Sequence, residues 1–169
     1  MIVLPNTFTL IASSTVGSGG AANIDFTSIP ATYTDLCIKL SARCSAATSA
    51  VKIGFNGSTT NLSTKYLYGS GSAASSGAAN EIYVYSNSSS YTASTFGNSE
   101  IYIPNYVLSS VNKSVSVEGV SENNATGADM LLAAGLWSTT AAITSIKLVP
   151  DSGNFVQHST AYLYGIIKS

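Results

Sequence analysis

Residues 159–167 constrain the fold more than any other stretch, because they alternate almost without fault. On an extended strand Ala161, Leu163 and Ile167 point one way and Tyr162 and Tyr164 the other. Such a strand, left frayed, would leave apolar surface and backbone groups unsatisfied, so it must close a sheet, with the carboxy-terminal end of the chain buried in the fold. Tyr-Leu-Tyr-Gly recurs at residues 66–69, but one tetrapeptide is too short to make a repeat.

The rest of the chain repeats the same two-residue period in short pieces. Residues 7–15 read as a first strand with Phe8 and Leu10 on one face, and residues 23–27 as a second. Residues 35–43 set Leu36, Ile38, Leu40 and Ala42 against Cys37, Lys39, Ser41 and Arg43, the clearest half-buried strand in the chain. Residues 51–55 follow and end at Asn56-Gly57, a strong turn signal. From 58 to 80 the chain turns polar and glycine-rich, which predicts a long surface excursion. Residues 81–85 and 100–104 each place isoleucine or valine on one face and tyrosine on the other. Residues 113–118, 130–137, 143–149 and the closing segment complete the set, and in 130–137 leucine and alanine run together as in a strand covered on both faces. Roughly nine or ten strands with no amphipathic helix predict an all-β antiparallel sandwich, of jelly-roll or related Greek-key topology. The chain length suits one domain, residues 6–169, preceded by an apolar arm at residues 1–5.

Charge is scarce: 9% of residues are Asp, Glu, Lys or Arg, and the net charge is −1. The basic residues are scattered singly, so neither nucleic acid nor an anionic membrane is an expected partner. No apolar run is long enough for a membrane helix, and residues 1–5 lack the features of a signal peptide, so synthesis in the cytoplasm is expected. A surface with so little colloidal repulsion suits a protein that works assembled on something. Cys37 and Cys44, seven residues apart on one predicted strand, stand roughly 23 Å apart, too far for a disulfide.

Catalytic chemistry finds little support. His158 is the one histidine, lies in a loop without a flanking motif, and reads as solvated. The carboxylates are isolated in sequence, the glycine pairs at 17–20 and 69–71 lack the lysine and helix of a phosphate loop, and no calcium or zinc spacing occurs. No enzymatic activity, cofactor or metal is therefore expected. Tyr83, Tyr85 and Tyr102 fall opposite the isoleucine and valine faces of their strands. They form a candidate contact patch on an outer face, or else they cover a sheet beneath the long loops.

Two segments carry a family resemblance: Phe26-Thr-Ser-Ile-Pro-Ala-Thr-Tyr-Thr-Asp-Leu36 and Ser159-Thr-Ala-Tyr-Leu-Tyr-Gly-Ile-Ile-Lys168. With Arg43, Phe55-Asn-Gly57, Tyr66-Leu-Tyr-Gly69 and Ile101-Tyr-Ile-Pro104, the chain from Ile11 onward resembles small β-sandwich virion proteins and fibre domains of tailed bacteriophages. The resemblance implies a structural role and brings no catalytic residues. It implies a place on the outer surface of the capsid, as a decoration or cement protein bound to the major capsid protein, or else in the tail as a fibre or receptor-binding module. The absence of an N-terminal rod favours the capsid; an unrelated lectin or enzyme is the remaining alternative.

Met1, Ile2, Val3 and Leu4 are large apolar residues that cannot alternate in and out of a half-buried sheet, and Pro5 then interrupts pairing. They read as an assembly arm that seats in a groove of a neighbour, with a homotrimer as the favoured closed symmetry; the competing reading is an edge strand on its own sheet. Deleting residues 1–4 is expected to leave thermal unfolding unchanged while abolishing trimerisation or capsid binding. A truncated chain that assembles as before, or cannot fold, refutes the arm.

Overall fold

The structure, a computed structural model, describes residues 7–125 and 128–167; the predicted arm at Met1–Leu4 lies outside these. Twelve strands follow in order: β1 (Phe8–Thr15), β2 (Ile24–Phe26), β3 (Asp35–Ala42), β4 (Ala50–Phe55), β5 (Leu62–Gly69), β6 (Ala74–Ala79), β7 (Ile82–Tyr85), β8 (Gly97–Ile103), β9 (Lys113–Val120), β10 (Met130–Trp137), β11 (Ile146–Pro150) and β12 (Thr160–Ile166). All pairings between them are antiparallel. They form an eight-stranded sheet, β1-β12-β3-β8-β9-β10-β5-β6, and a four-stranded sheet, β2-β11-β4-β7.

The pairings nest. β5 pairs with β6, β4 with β7, β3 with β8, β2 with β11 and β1 with β12, so the chain is one long antiparallel ribbon whose two arms cross together from sheet to sheet. Such winding is that of a jelly roll, here with the β9–β10 hairpin inserted between β8 and β5. The antiparallel sandwich read from periodicity is therefore the observed fold, with twelve strands instead of nine or ten.

Burial follows the period of two. β9 alternates residue by residue, with Val115 and Val117 buried and Ser114, Ser116 and Glu118 outside. In β12, Ala161 and Leu163 are fully buried, as the closing pattern predicts, and the strand lies between β1 and β3. Ile38, Leu40, Ile101, Val117 and Leu163 of the large sheet meet Ile53, Phe55, Ile82, Val84 and Leu148 of the small one in a single core. Each such side chain contributes about 1.5–3 kcal/mol on burial. At Gly135 the two sheets are tightly packed, and a Cβ there would stand 2.9 Å from Ile82 Cδ1. Trp137 closes that end of the core against Phe55, with ring centroids 5.4 Å apart.

Two sequence expectations need correction. Residues 58–80 are not an irregular excursion: they lie at the surface, but β5 and β6 form a hairpin there. The pairing works because Gly77 lies directly opposite Tyr66, and a side chain at 77 would collide with the Tyr66 ring. In β10, Leu131, Ala133 and Trp137 are buried but Met130, Leu132 and Leu136 are exposed, so this chain covers only one of its faces.

A few polar side chains tie the connections to the sheets. Arg43 donates to the carbonyls of Tyr91 (3.0 Å), Thr92 (2.8 Å) and Thr95 (3.1 Å) and so holds the serine-rich loop between β7 and β8. Asn56, in the left-handed region with Gly57, accepts from the backbone of Thr144 and Ser145 and donates to the Ala142 carbonyl. Lys113 is fully buried, and its ammonium donates to the carbonyls of Leu108 (2.5 Å), Val111 (2.7 Å) and Thr140 (3.0 Å). Burial pushes its pKa down, while the three carbonyls use all its protons. Lys113→Met is expected to cost about 1–3 kcal/mol, because it removes the shared donor of three part-buried carbonyls, and Lys113→Ala more, because it adds a cavity. An unchanged urea midpoint for the Met variant would show that the three bonds add nothing.

Candidate functional site

The structure separates the predicted contact residues. Tyr83 and Tyr85, on β7 at the edge of the small sheet, join Tyr66 and Tyr68 from the overhanging β5–β6 hairpin. Tyr66 meets Tyr83 edge-on at 5.7 Å between centroids, and Tyr83 meets Tyr85 at 5.9 Å. Tyr83 is only 9% exposed and Tyr85 half-buried, so this cluster mainly fills the seam between the sheets. Tyr102 belongs to β8 in the large sheet and faces outward beside Cys37; its hydroxyl donates to Asp35 Oδ2 at 2.7 Å. Asp35 is buried and also accepts from the backbone of Asn105 at 2.8 Å, which places the turn after β8.

A surface that the sequence reading missed is the outer face of the eight-stranded sheet. Phe8 and Leu10 of β1, Tyr162 of β12, Val120 of β9, Met130, Leu132 and Leu136 of β10, and Leu67 of β5 make up eight of the ten exposed large hydrophobic residues among those described, and all point from this face. They fall into two groups. On one flank Phe8, Leu10 and Tyr162 surround Tyr164, which Phe8 meets edge-on at 6.2 Å. On the other, Leu132 lies level with Leu67 on one side and Glu118 on the other, and Met130 level with Val120. Exposures of 62% for Met130, 59% for Leu67 and 54% for Leu132 mark this second group as a true apolar patch. Shallow grooves of about 440 and 570 Å³ flank the Leu67–Leu132 ridge. Between the two groups runs a polar band in which Lys39 pairs with Glu100. The sequence signal for this face is the apolar run of β10, which asks for cover on both faces without saying what supplies it.

His158 is exposed at the end of its loop, in the left-handed region at φ 73°, and its backbone donates to the Val16 carbonyl at 3.0 Å. Its imidazole makes no hydrogen bond among the described residues. Cys37 and Cys44 are free and buried, and burial pushes both thiols up. Among the described residues no three His, Cys, Asp or Glu side chains come together as a metal site, and no helix is long and apolar enough to cross a membrane. Two-sheet β-sandwiches of this winding carry many functions on one scaffold, so the surface and not the fold must point to the role. Comparison with protein-family models, curated proteins and solved structures finds no match to the chain.

The buried tyrosines give the fold an alkaline limit. Burial, then the hydrogen bond with Tyr66, pushes Tyr83 up; burial, then Asp129, pushes Tyr85 up. Tyr91, whose hydroxyl donates to Asp129 Oδ2 at 2.7 Å, is pushed up to about 12 by burial and by that carboxylate. In the unfolded chain these phenols ionise near pH 10, whereas the fold keeps them protonated, so their contribution is complete below pH 10 and is lost as pH climbs towards 12. Ultraviolet titration is expected to show this group ionising together with unfolding, and Tyr91→Phe to flatten the loss of stability between pH 10 and 12. Independent ionisation of all the tyrosines near pH 10 in a folded protein would contradict this account.

Proposed function

We propose that this protein is a structural virion component of a tailed bacteriophage, a capsid decoration (cement) protein that lies on the outer shell and stabilises it. The observation that carries the proposal is the gathering of eight of the ten exposed large apolar side chains of the described residues onto the outer face of the eight-stranded sheet. A face with Phe8, Leu10, Leu132 and Met130 standing in water gains free energy when another protein covers it. The rest of the surface, carried by serine and threonine hydroxyls and few charges, suits a place in an assembly. The resemblance of residues 26–36 and 159–168 to small phage sandwich proteins supplies the class of assembly. The partners in this reading are the major capsid protein and further copies of the chain itself, with no enzymatic step and no cofactor.

The flank made by Phe8, Leu10 and Tyr162 is the part assigned to the shell. Gold-labelled antibody on intact virions is expected to mark the capsid at many regular positions. Virions made with Leu10→Asp are expected to lose the label and to release their DNA at lower temperature. Label confined to the tail would overturn the decoration reading in favour of a fibre or receptor-binding module, and unlabelled virions would overturn both.

A further inference from the structure

The second apolar group, on β9, β10 and β5, carries an inference that is independent of where in a virion the protein sits. Charges are few in this fold and nearly all are engaged. Lys39 pairs with Glu100, Lys52 with Glu81 and Asp151, and Lys147 with Asp25. Arg43 and Lys113 donate to backbone carbonyls, Asp35 and Asp129 accept from tyrosine hydroxyls, and Glu122 accepts from the backbone of Asn124. Among the described residues Lys65 and Glu118 alone have no such partner. They have opposite signs, both are exposed, and both border the same apolar patch from opposite sides of β10.

Glu118 has a particular need of a cation. It stands directly opposite Glu100 in the β8–β9 pairing, a like-charge juxtaposition that destabilises a sheet, and Lys39 is on the far side of Glu100. Lys65 is level with Ala134 and Ser116, one outward-facing step along the strands from the row of Glu118, Leu132 and Leu67. Within one chain the two charges are separated by β10 and its apolar side chains.

We propose that this face binds a second copy of itself about a two-fold axis running along β10. That rotation lays β9 of each copy over β5 of the other and stacks the Met130, Leu132 and Leu136 ridges. Faces of packed sheets lie about 10 Å apart, and one outward step along a strand is about 7 Å, so Glu118 of each copy comes within side-chain reach of Lys65 of the other. The contact is self-complementary: an apolar seam flanked by two symmetric ion pairs. It overlaps the five strands from β8 to β6, a footprint of roughly 24 by 27 Å, close to one side of a standard interface. β1, β12 and β3 stay outside, so the Phe8 and Leu10 flank remains free.

Sedimentation of the purified protein tests this. The wild type is expected to run as a two-fold assembly, twice 17.3 kDa in its simplest form, or as six copies where the expected N-terminal arm also links three. Glu118→Lys and Lys65→Glu alone are each expected to weaken it by about tenfold or more, because each replaces both ion pairs by like charges. Mixing the two variants, or combining both substitutions in one chain, restores opposite signs at both contacts and is expected to restore the dimer. Leu132→Asp, folded by circular dichroism, is expected to be monomeric. A chain that stays monomeric, one that assembles in odd number, or one whose assembly ignores the charge reversals overturns the proposal.

Discussion

The unequal width of the two sheets is the constraint on which the rest of this structure depends. A four-stranded sheet cannot cover the inner face of an eight-stranded one, yet every strand of the larger sheet carries apolar residues on that face. The uncovered wings must be closed by other means, or their burial energy is lost. On one wing Tyr66 and Tyr68 fold under the β5–β6 hairpin and meet Tyr83 and Tyr85. On the other, Tyr33 packs its ring over Gly165, where a side chain would clash, and Tyr106 is buried with its hydroxyl bonded to the Pro30 carbonyl. The tyrosines thus substitute for missing strands: large rings that span a gap while their hydroxyls reach polar partners at its rim.

The same constraint explains why so few charges occur and where they sit. Connections that cross between sheets have carbonyls to satisfy near the core, and single long side chains satisfy several at once. Lys113 serves three carbonyls and Arg43 a whole loop. These are charged groups used as internal clamps, which is affordable because each is surrounded by acceptors. Elsewhere hydroxyls suffice, as in the Ser88–Ser90 and Thr48–Ser152 pairs. Against so economical a background, Lys65 and Glu118 beside an uncovered ridge stand out as the two groups to which the proposed two-fold contact gives partners.

Alternation was readable wherever a strand has one wet face, because there the period of two appears as a change between apolar and polar residues. β3, β9 and β12 were legible for that reason, and so was the turn at Asn56-Gly57. β6 was not, since Ala74–Ala79 is built of small residues with no contrast between faces; its pairing with β5 leaves room for the Tyr66 ring only because residue 77 is glycine. β10 was legible as a strand but not in its surroundings. Its composition said that both faces are apolar, and nothing local says whether the second cover comes from the same chain. The tyrosines illustrate the same limit: Tyr83, Tyr85 and Tyr102 share a sequence pattern, but the winding sends β7 and β8 to different sheets, so one pair fills a seam while the third bonds to Asp35.

Sequence alone therefore determined the class of structure: an antiparallel sandwich without helices, because period-two patterning and turn residues are local properties that backbone geometry reads directly. It also determined how few charged residues the chain offers and that it has one histidine, since these depend only on residue types and their number. Only the tertiary structure decided the unequal division into eight and four strands, the insertion of β9 and β10 between β8 and β5, and hence which apolar face lacks a cover. Those outcomes depend on pairings between segments far apart in the chain, whose stability comes from the fit of whole sheets against each other and leaves no mark on any short stretch.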